Sequence, residues 1–88
     1  MTTEHTPYGT IKTAAELGRV VRAHRKARKL TLRTISGLGN LSTRFLSEFE
    51  RGKETAELGK ALHAMYVLGL EVSVRPRGGN VRGIKQHD

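Results

Sequence analysis

LTLRTISGLGNLSTRFLSEFERGK, residues 30 to 53, divides into two short apolar groups about a Gly39-Asn40 break. Leu30, Ile35 and Leu38 recur at spacings that can share one helical face, Leu41 fills the break, and Leu46 and Phe49 repeat at i, i+3 on a second helix. Thr31 and Ser42 stand just ahead of the two patterns, where a hydroxyl accepts the orphan N–H groups of a first turn. Gly39 and Asn40 are the residue types that most readily enter the left-handed region a sharp interhelical turn requires. Gly52 suits the position just past a helix end. Two small helices packed on one core are expected.

Outward from that stretch, Thr13-Ala14-Ala15-Glu16 fits the S/T-x-x-E capping box and places a helix start at Thr13. Leu17, Val20, Val21 and His24 continue it as an apolar stripe that ends near Lys29. After Lys53, Thr55-Ala56-Glu57 opens a helix over 55–68 with Leu58, Ala61, Leu62, Met65 and Leu68 as its buried face, and Gly69 stops it. Leu70 to Arg75 then changes period from 3.6 to 2, with Leu70, Val72 and Val74 on one face, which predicts a strand over 70–76. A lone strand leaves its ladder unpaired, so its expected partner is the same strand of a second copy. Residues 1–12, with Pro7 and Gly9, read as a loose arm on which Tyr8 and Ile11 could dock, and residues 77–88 as a mobile basic tail. Residues 13–69 form the one helical unit.

Composition sets the functional class. Eighty-eight residues make one small domain, burying only about 60% of its unfolded-chain surface, for which a partner subunit would be a support. Sixteen Lys and Arg against eight Asp and Glu give a net charge of +8. Such an excess points to a nucleic-acid partner, with an anionic membrane surface as the competitor. The basic residues cluster at helix ends around residues 25 to 53 rather than striping a whole helix face, which favours nucleic acid. No run of 18 apolar residues and no charged-then-apolar leader is present, so the chain is expected to be soluble and intracellular. The absence of cysteine excludes disulfides and thiolate metal sites. His5, His24, His63 and His87 are scattered without an i, i+4 pair or a carboxylate cluster, so no metal site is expected. No phosphate loop, nucleophile elbow or paired carboxylates occur, so neither an enzyme nor a cofactor is expected.

The segment from about Leu17 to Val74 resembles the Xre/Cro/C1-type helix-turn-helix family, and within it the small HipB-like antitoxins. The matching residues are Leu30-Thr31, Ile35, Leu41-Ser42, Leu46-Ser47, Phe49-Glu50-Arg51-Gly52-Lys53, Leu58-Gly59-Lys60 and Leu68-Gly69-Leu70. The sequence departs from the family at Leu32, commonly Gln, and at Ser36, commonly Ala; Gly37 and Gly39 weaken that first motif helix further. The resemblance implies an all-α, lambda-repressor-like bundle of four to five helices with a short C-terminal strand pairing across a two-fold dimer. It implies a repressor of a pseudo-palindromic operator, acting in the bacterial cytoplasm and on the nucleoid when bound. It also implies an antitoxin that binds a HipA-like kinase and autoregulates their operon, with a stand-alone or phage-type repressor as the alternative. It further implies that Arg25 and Glu50 form a partly buried bridge.

On the second motif helix, Leu46 and Phe49 face the core and leave Thr43, Arg44, Ser47 and Glu48 outward. The first turn of a recognition helix meets base edges in the major groove. There Arg44 can pair with guanine, Glu48 can accept from cytosine N4, and the Thr43 methyl can touch thymine. The alternative for Arg44 and Glu48 is an i, i+4 surface ion pair. Thr31, Arg33, Ser42, Arg51 and Lys53 flank the helix as phosphate contacts, positioning the protein rather than reading sequence. Arg28 and Lys29 suit either a phosphate or the helix's own C-terminal carbonyls. His24 reads as a core-edge filler, and Phe45 as packing rather than a base-stacking aromatic.

Overall fold

The computed structural model describes residues 8–78. Four helices follow one another among them: α1 (Ala14–Ala27), α2 (Leu32–Gly39), α3 (Thr43–Glu50) and α4 (Leu58–Val67). The first three begin where a hydroxyl stands ready. Thr13, Thr31 and Ser42 are extended N-cap residues whose side chains accept from the backbone N–H three residues on. At α1 the reciprocal contact falls one residue early, since the Glu16 carboxylate accepts from the N–H of Lys12 at 2.6 Å rather than from Thr13. α4 starts later than Thr55; its N-cap is Glu57, which makes no side-chain capping bond, so Thr55 and Ala56 lie before the helix.

Three of the helices stop in the same way. After α1, α3 and α4 the next two N–H groups turn back onto carbonyls of the last turn: Lys29 to Lys26 and Leu30 to Arg25, Gly52 to Phe49 and Lys53 to Glu48, Gly69 to Tyr66 and Leu70 to Met65. This double bond pattern needs a left-handed residue at its corner. Glycine takes it at Gly52 and Gly69, whereas Lys29 adopts it with φ 60° despite its Cβ. α2 ends on Asn40, also left-handed at φ 56°. The Ser36 hydroxyl donates to the carbonyl of Leu41 and braces that turn.

The core gathers Val21 of α1, Ile35 of α2, Leu41 of the turn, Leu46 and Phe49 of α3, Ala61, Ala64 and Met65 of α4, and Leu68. α3 packs on α1 and α2, and α2 also packs on α4. The α1 crossing is close because Gly18 carries no side chain. A Cβ there would come within 2.7 Å of the Phe49 carbonyl oxygen, and nearer still to that of Glu50. The helix arithmetic misplaces three leucines. Leu38 is 69% exposed, because α2 centres its buried arc between Ile35 and Gly39 and Leu38 falls off its edge. Leu58 and Leu62 are likewise exposed, since α4 turns its small residues Ala61 and Ala64 inward. Leu58, Leu62 and Tyr66 instead line an outer stripe at i, i+4, i+8.

From Leu70 to Pro76 the chain has no regular secondary structure, and Val72 and Val74 are exposed. Most of the expected arm and tail, including His5 and His87, lies outside the described residues. Of the arm, Tyr8 is described, and its hydroxyl meets His24.

Two glycines give opposite expectations. Gly18→Ala forces the α1–α3 crossing apart and should lower stability by about 1–3 kcal/mol, whereas Gly37, with open space around its Cβ position, should gain ~0.5–1 kcal/mol on substitution by alanine. Chemical denaturation of the two variants beside the parent chain measures both signs.

Candidate nucleic-acid interface

α3 is held from behind by a buried ion pair. Arg25 donates from Nε to Glu50 Oε2 at 2.7 Å and from Nη2 to Oε1 at 2.9 Å, and Nη1 donates to the Leu30 carbonyl at 2.7 Å. Both residues are buried. The hydrogen bond that the guanidinium donates to Glu50, with the carboxylate's charge, raises Arg25 above its ordinary pKa against the opposing effect of burial. One guanidinium therefore ties α1, the α1–α2 turn and the last residue of α3 into a fixed unit.

The opposite face of α3 is the polar one. Thr43 and Arg44 are exposed, with the Arg44 side chain 87% open, while Ser47 and Glu48 are half-buried. The four stand on the outer side of a helix whose inner side carries Leu46 and Phe49. Phe45 packs at the border, stacked on Phe49 with ring centroids 5.8 Å apart. Ser42 precedes them as the N-cap, its hydroxyl committed to the N–H of Phe45 at 3.0 Å. The first-turn N–H groups ahead of Phe45 have no intrahelical acceptor and are available to an anion.

The cations around α3 are already engaged. Glu48 receives Lys53 Nζ on Oε1 at 3.0 Å and Arg44 Nε on Oε2 at 3.3 Å. Lys53 and then Arg44 hold the Glu48 carboxyl below the usual carboxylate range. Arg51 Nη1 donates to the Ser47 hydroxyl at 2.8 Å. Thr31 caps α2 by accepting from the N–H of Thr34 at 3.0 Å and also meets the Thr34 hydroxyl. Arg33, Arg28 and Lys29 are exposed. The structure thus sets two hydrogen-bonded groups on α3 and just beyond it, Arg44–Glu48–Lys53 and Ser47–Arg51, with Thr43 and Ser42 at the leading end of the helix, Thr31 capping α2 and Arg33 in its first turn.

Two histidines make polar contacts that had no sequence signal. His24 is 3% exposed and lies between Tyr8 and the carbonyl of Leu68. Because that carbonyl only accepts, His24 Nε2 carries the proton and donates at 2.7 Å, leaving Nδ1 to accept from the Tyr8 hydroxyl at 2.6 Å. His24 is a three-way connector rather than a filler. Likewise His63 Nε2 meets the Gly39 carbonyl at 3.0 Å, joining α4 to the end of α2. Among the described residues no group of three or more His, Cys, Asp or Glu could hold a metal ion, and no helix is long and apolar enough to cross a membrane.

A capped helix, a tight left-handed turn and a second helix with an exposed polar face ringed by cations constitute a helix-turn-helix DNA-binding domain. Comparison with known proteins supplies the family. An uncharacterized HTH-type transcriptional regulator, y4mF of Sinorhizobium fredii (strain NBRC 101917 / NGR234), is 35% identical over 68 residues, covering 77% of this chain and 90% of that protein. The chain belongs to the HTH-type transcriptional regulators, which act by binding DNA and not by catalysis. No family model matches it. Among solved structures, the protein of the HipB-O4 20mer complex superposes with a TM-score of 0.75 at 14% identity, over 80% of this chain and 99% of that one. A chain named MDT Protein superposes with a TM-score of 0.74, also at 14% identity and with the same coverage. The fold is that of HipB.

Removing either partner of the Arg25–Glu50 pair leaves a buried charge alone. Glu50→Ala and Arg25→Ala should each cost about 3–5 kcal/mol, while a double variant with apolar residues of similar volume recovers much of the loss. Thermal and urea unfolding of the three variants beside the parent chain checks both the losses and the recovery.

Proposed function

We propose that this regulator is a sequence-specific transcriptional repressor that binds a pseudo-palindromic operator as a homodimer in the bacterial cytoplasm. The observation that carries the reading is the outward face of α3: a capped helix start followed by Thr43, Arg44, Ser47 and Glu48, with Leu46 and Phe49 anchored behind them. In this reading those four residues meet base edges, and Thr31, Arg33, Ser42, Arg51 and Lys53 engage phosphates on either side. Arg25 and Glu50 set the helix angle and touch no DNA. The Lys and Arg excess supplies the sequence-independent attraction on which such recognition is superimposed.

Dimerisation is supported by the apolar surface that the single chain leaves open. Leu58, Leu62 and Tyr66 are exposed along α4, Leu62 and Tyr66 line an open hollow with Leu70 and Val72, and exposed apolar surface of this kind marks an interaction surface. A second copy would cover it, with the alternating segment 70–76 completing its ladder against its own symmetry mate. Residues 1–12 and 77–88 flank the DNA-binding unit in this scheme. The HipB likeness of the fold supports a narrower reading, an antitoxin that binds a HipA-like kinase and represses their shared operon. Co-expression with the product of the adjacent open reading frame, followed by co-purification and mass measurement, decides between that and a stand-alone repressor.

Duplexes selected from a random pool provide the operator for the DNA test. Arg44→Ala should lose ~1–3 kcal/mol at one base pair and relax preference there, whereas Lys53→Ala should weaken selected and random duplexes alike. An equal loss on every duplex for Arg44→Ala would place it with the phosphate contacts.

The dimer has its own test. Val72→Pro removes a backbone donor from segment 70–76, so the full palindrome should lose more affinity than an isolated half-site, and light scattering should report a lower mass. A variant of unchanged mass and unchanged operator affinity would remove this segment from the interface and leave the α4 stripe.

A further inference from the structure

Glu48 is the sole carboxylate among the described residues that holds two cations of the proposed DNA face at once. Its two oxygens are divided between them, Oε1 to Lys53 and Oε2 to Arg44. Arg44 gives only its Nε to this contact, and with the side chain 87% exposed its terminal Nη1 and Nη2 take no partner among the described residues. Those two atoms form the end-on fork that fits the O6 and N7 acceptors of guanine. Lys53, in contrast, commits its ammonium directly to the carboxylate.

We infer that Glu48 is a specificity-determining residue that suppresses binding to non-cognate DNA by occupying Lys53 and aiming Arg44; this inference rests on the DNA-binding reading above. A phosphate approaching Lys53 on an arbitrary duplex competes with Glu48 for the ammonium and stands near a carboxylate of its own sign. Two cations and one anion present a net single charge at that point on the face, so backbone attraction there is halved before any base is read. On the right sequence the opposition is offset. Arg44 keeps Glu48 on Nε while its fork engages a guanine, and a carboxylate oxygen released from Lys53 can accept from a cytosine amine. The arrangement persists across the neutral range, since both cations hold the Glu48 carboxyl low. Glu48 therefore adds to discrimination mainly by weakening the wrong complexes.

The Glu48→Gln variant tests this, because the amide keeps the size and one acceptor oxygen but lacks the charge and the second acceptor. Parent and variant are titrated with the duplex selected by the parent chain and with a random-sequence duplex of equal length, over a series of salt concentrations. The expected result is a gain of about threefold to tenfold on the random duplex, no comparable gain on the selected one, and a salt dependence on the random duplex steeper by about one in slope. Random-duplex affinity that stays the same or falls overturns the inference, and so does a loss confined to one base pair of the selected duplex, which would make Glu48 a base reader only. A parent chain that prefers no duplex sinks the DNA-binding reading and this inference with it. A selective parent with an indifferent Glu48→Gln sinks the inference alone.

Discussion

The Arg25–Glu50 pair is the constraint on which the rest of this structure depends. α3 has eight residues, too few to be stable as an isolated helix, and its outer face must be polar to meet water and DNA. It is therefore positioned from one side only. The bidentate pair fixes its C-terminal end against α1, and the third Arg25 donor reaches the Leu30 carbonyl, so the α1–α2 turn is set by the same side chain. Gly18 lets α1 lie against the backbone of Phe49 and Glu50, which brings the guanidinium within reach. Burying two charges is not in itself stabilising relative to an apolar pair. What this pair contributes is orientation, since two parallel N–H···O bonds define an angle between helices that hydrophobic contact leaves loose.

Much of the local structure was legible in the sequence because it is made by residues a few positions apart. The hydroxyl caps at Thr13, Thr31 and Ser42, the left-handed Asn40, and the stops at Gly52 and Gly69 each satisfy backbone groups within five residues. Chemistry of that range leaves a signature in residue type alone. The exposed leucines were not legible, because periodicity identifies an apolar face without saying which part of it has a neighbour. α4 turns Ala61 and Ala64 toward the core, and at Gly39 a Cβ would lie 3.3 Å from Val67 Cγ2, so the close α2–α4 approach takes small residues and pushes Leu58 and Leu62 outward. Contacts spanning long stretches of chain, such as His24 with Leu68 or His63 with Gly39, have no periodic trace at all.

The proposed recognition surface was partly legible. Outward placement of Thr43, Arg44, Ser47 and Glu48 follows from the apolar positions of α3. The i, i+4 relation of Arg44 to Glu48 could be read from spacing, and the structure contains that ion pair. Lys53 could not be added by the same rule, because it lies beyond the helix and returns to Glu48 only after Gly52 reverses the chain at φ 90°. In the proposed reading, base contact and internal pairing are not rival descriptions of Arg44, because the Glu48 contact uses only its Nε.

His24 gives the molecule a distinct polarity of its chain ends. Its ring grips Tyr8 on one side and the residue that closes α4 on the other, so the segments entering and leaving the bundle are fastened to one point. That point is on a different face of α1 from the one that carries Gly18 and Arg25 against α3. Loosening His24 would therefore release both segments together while the α1–α3 contact kept its own support.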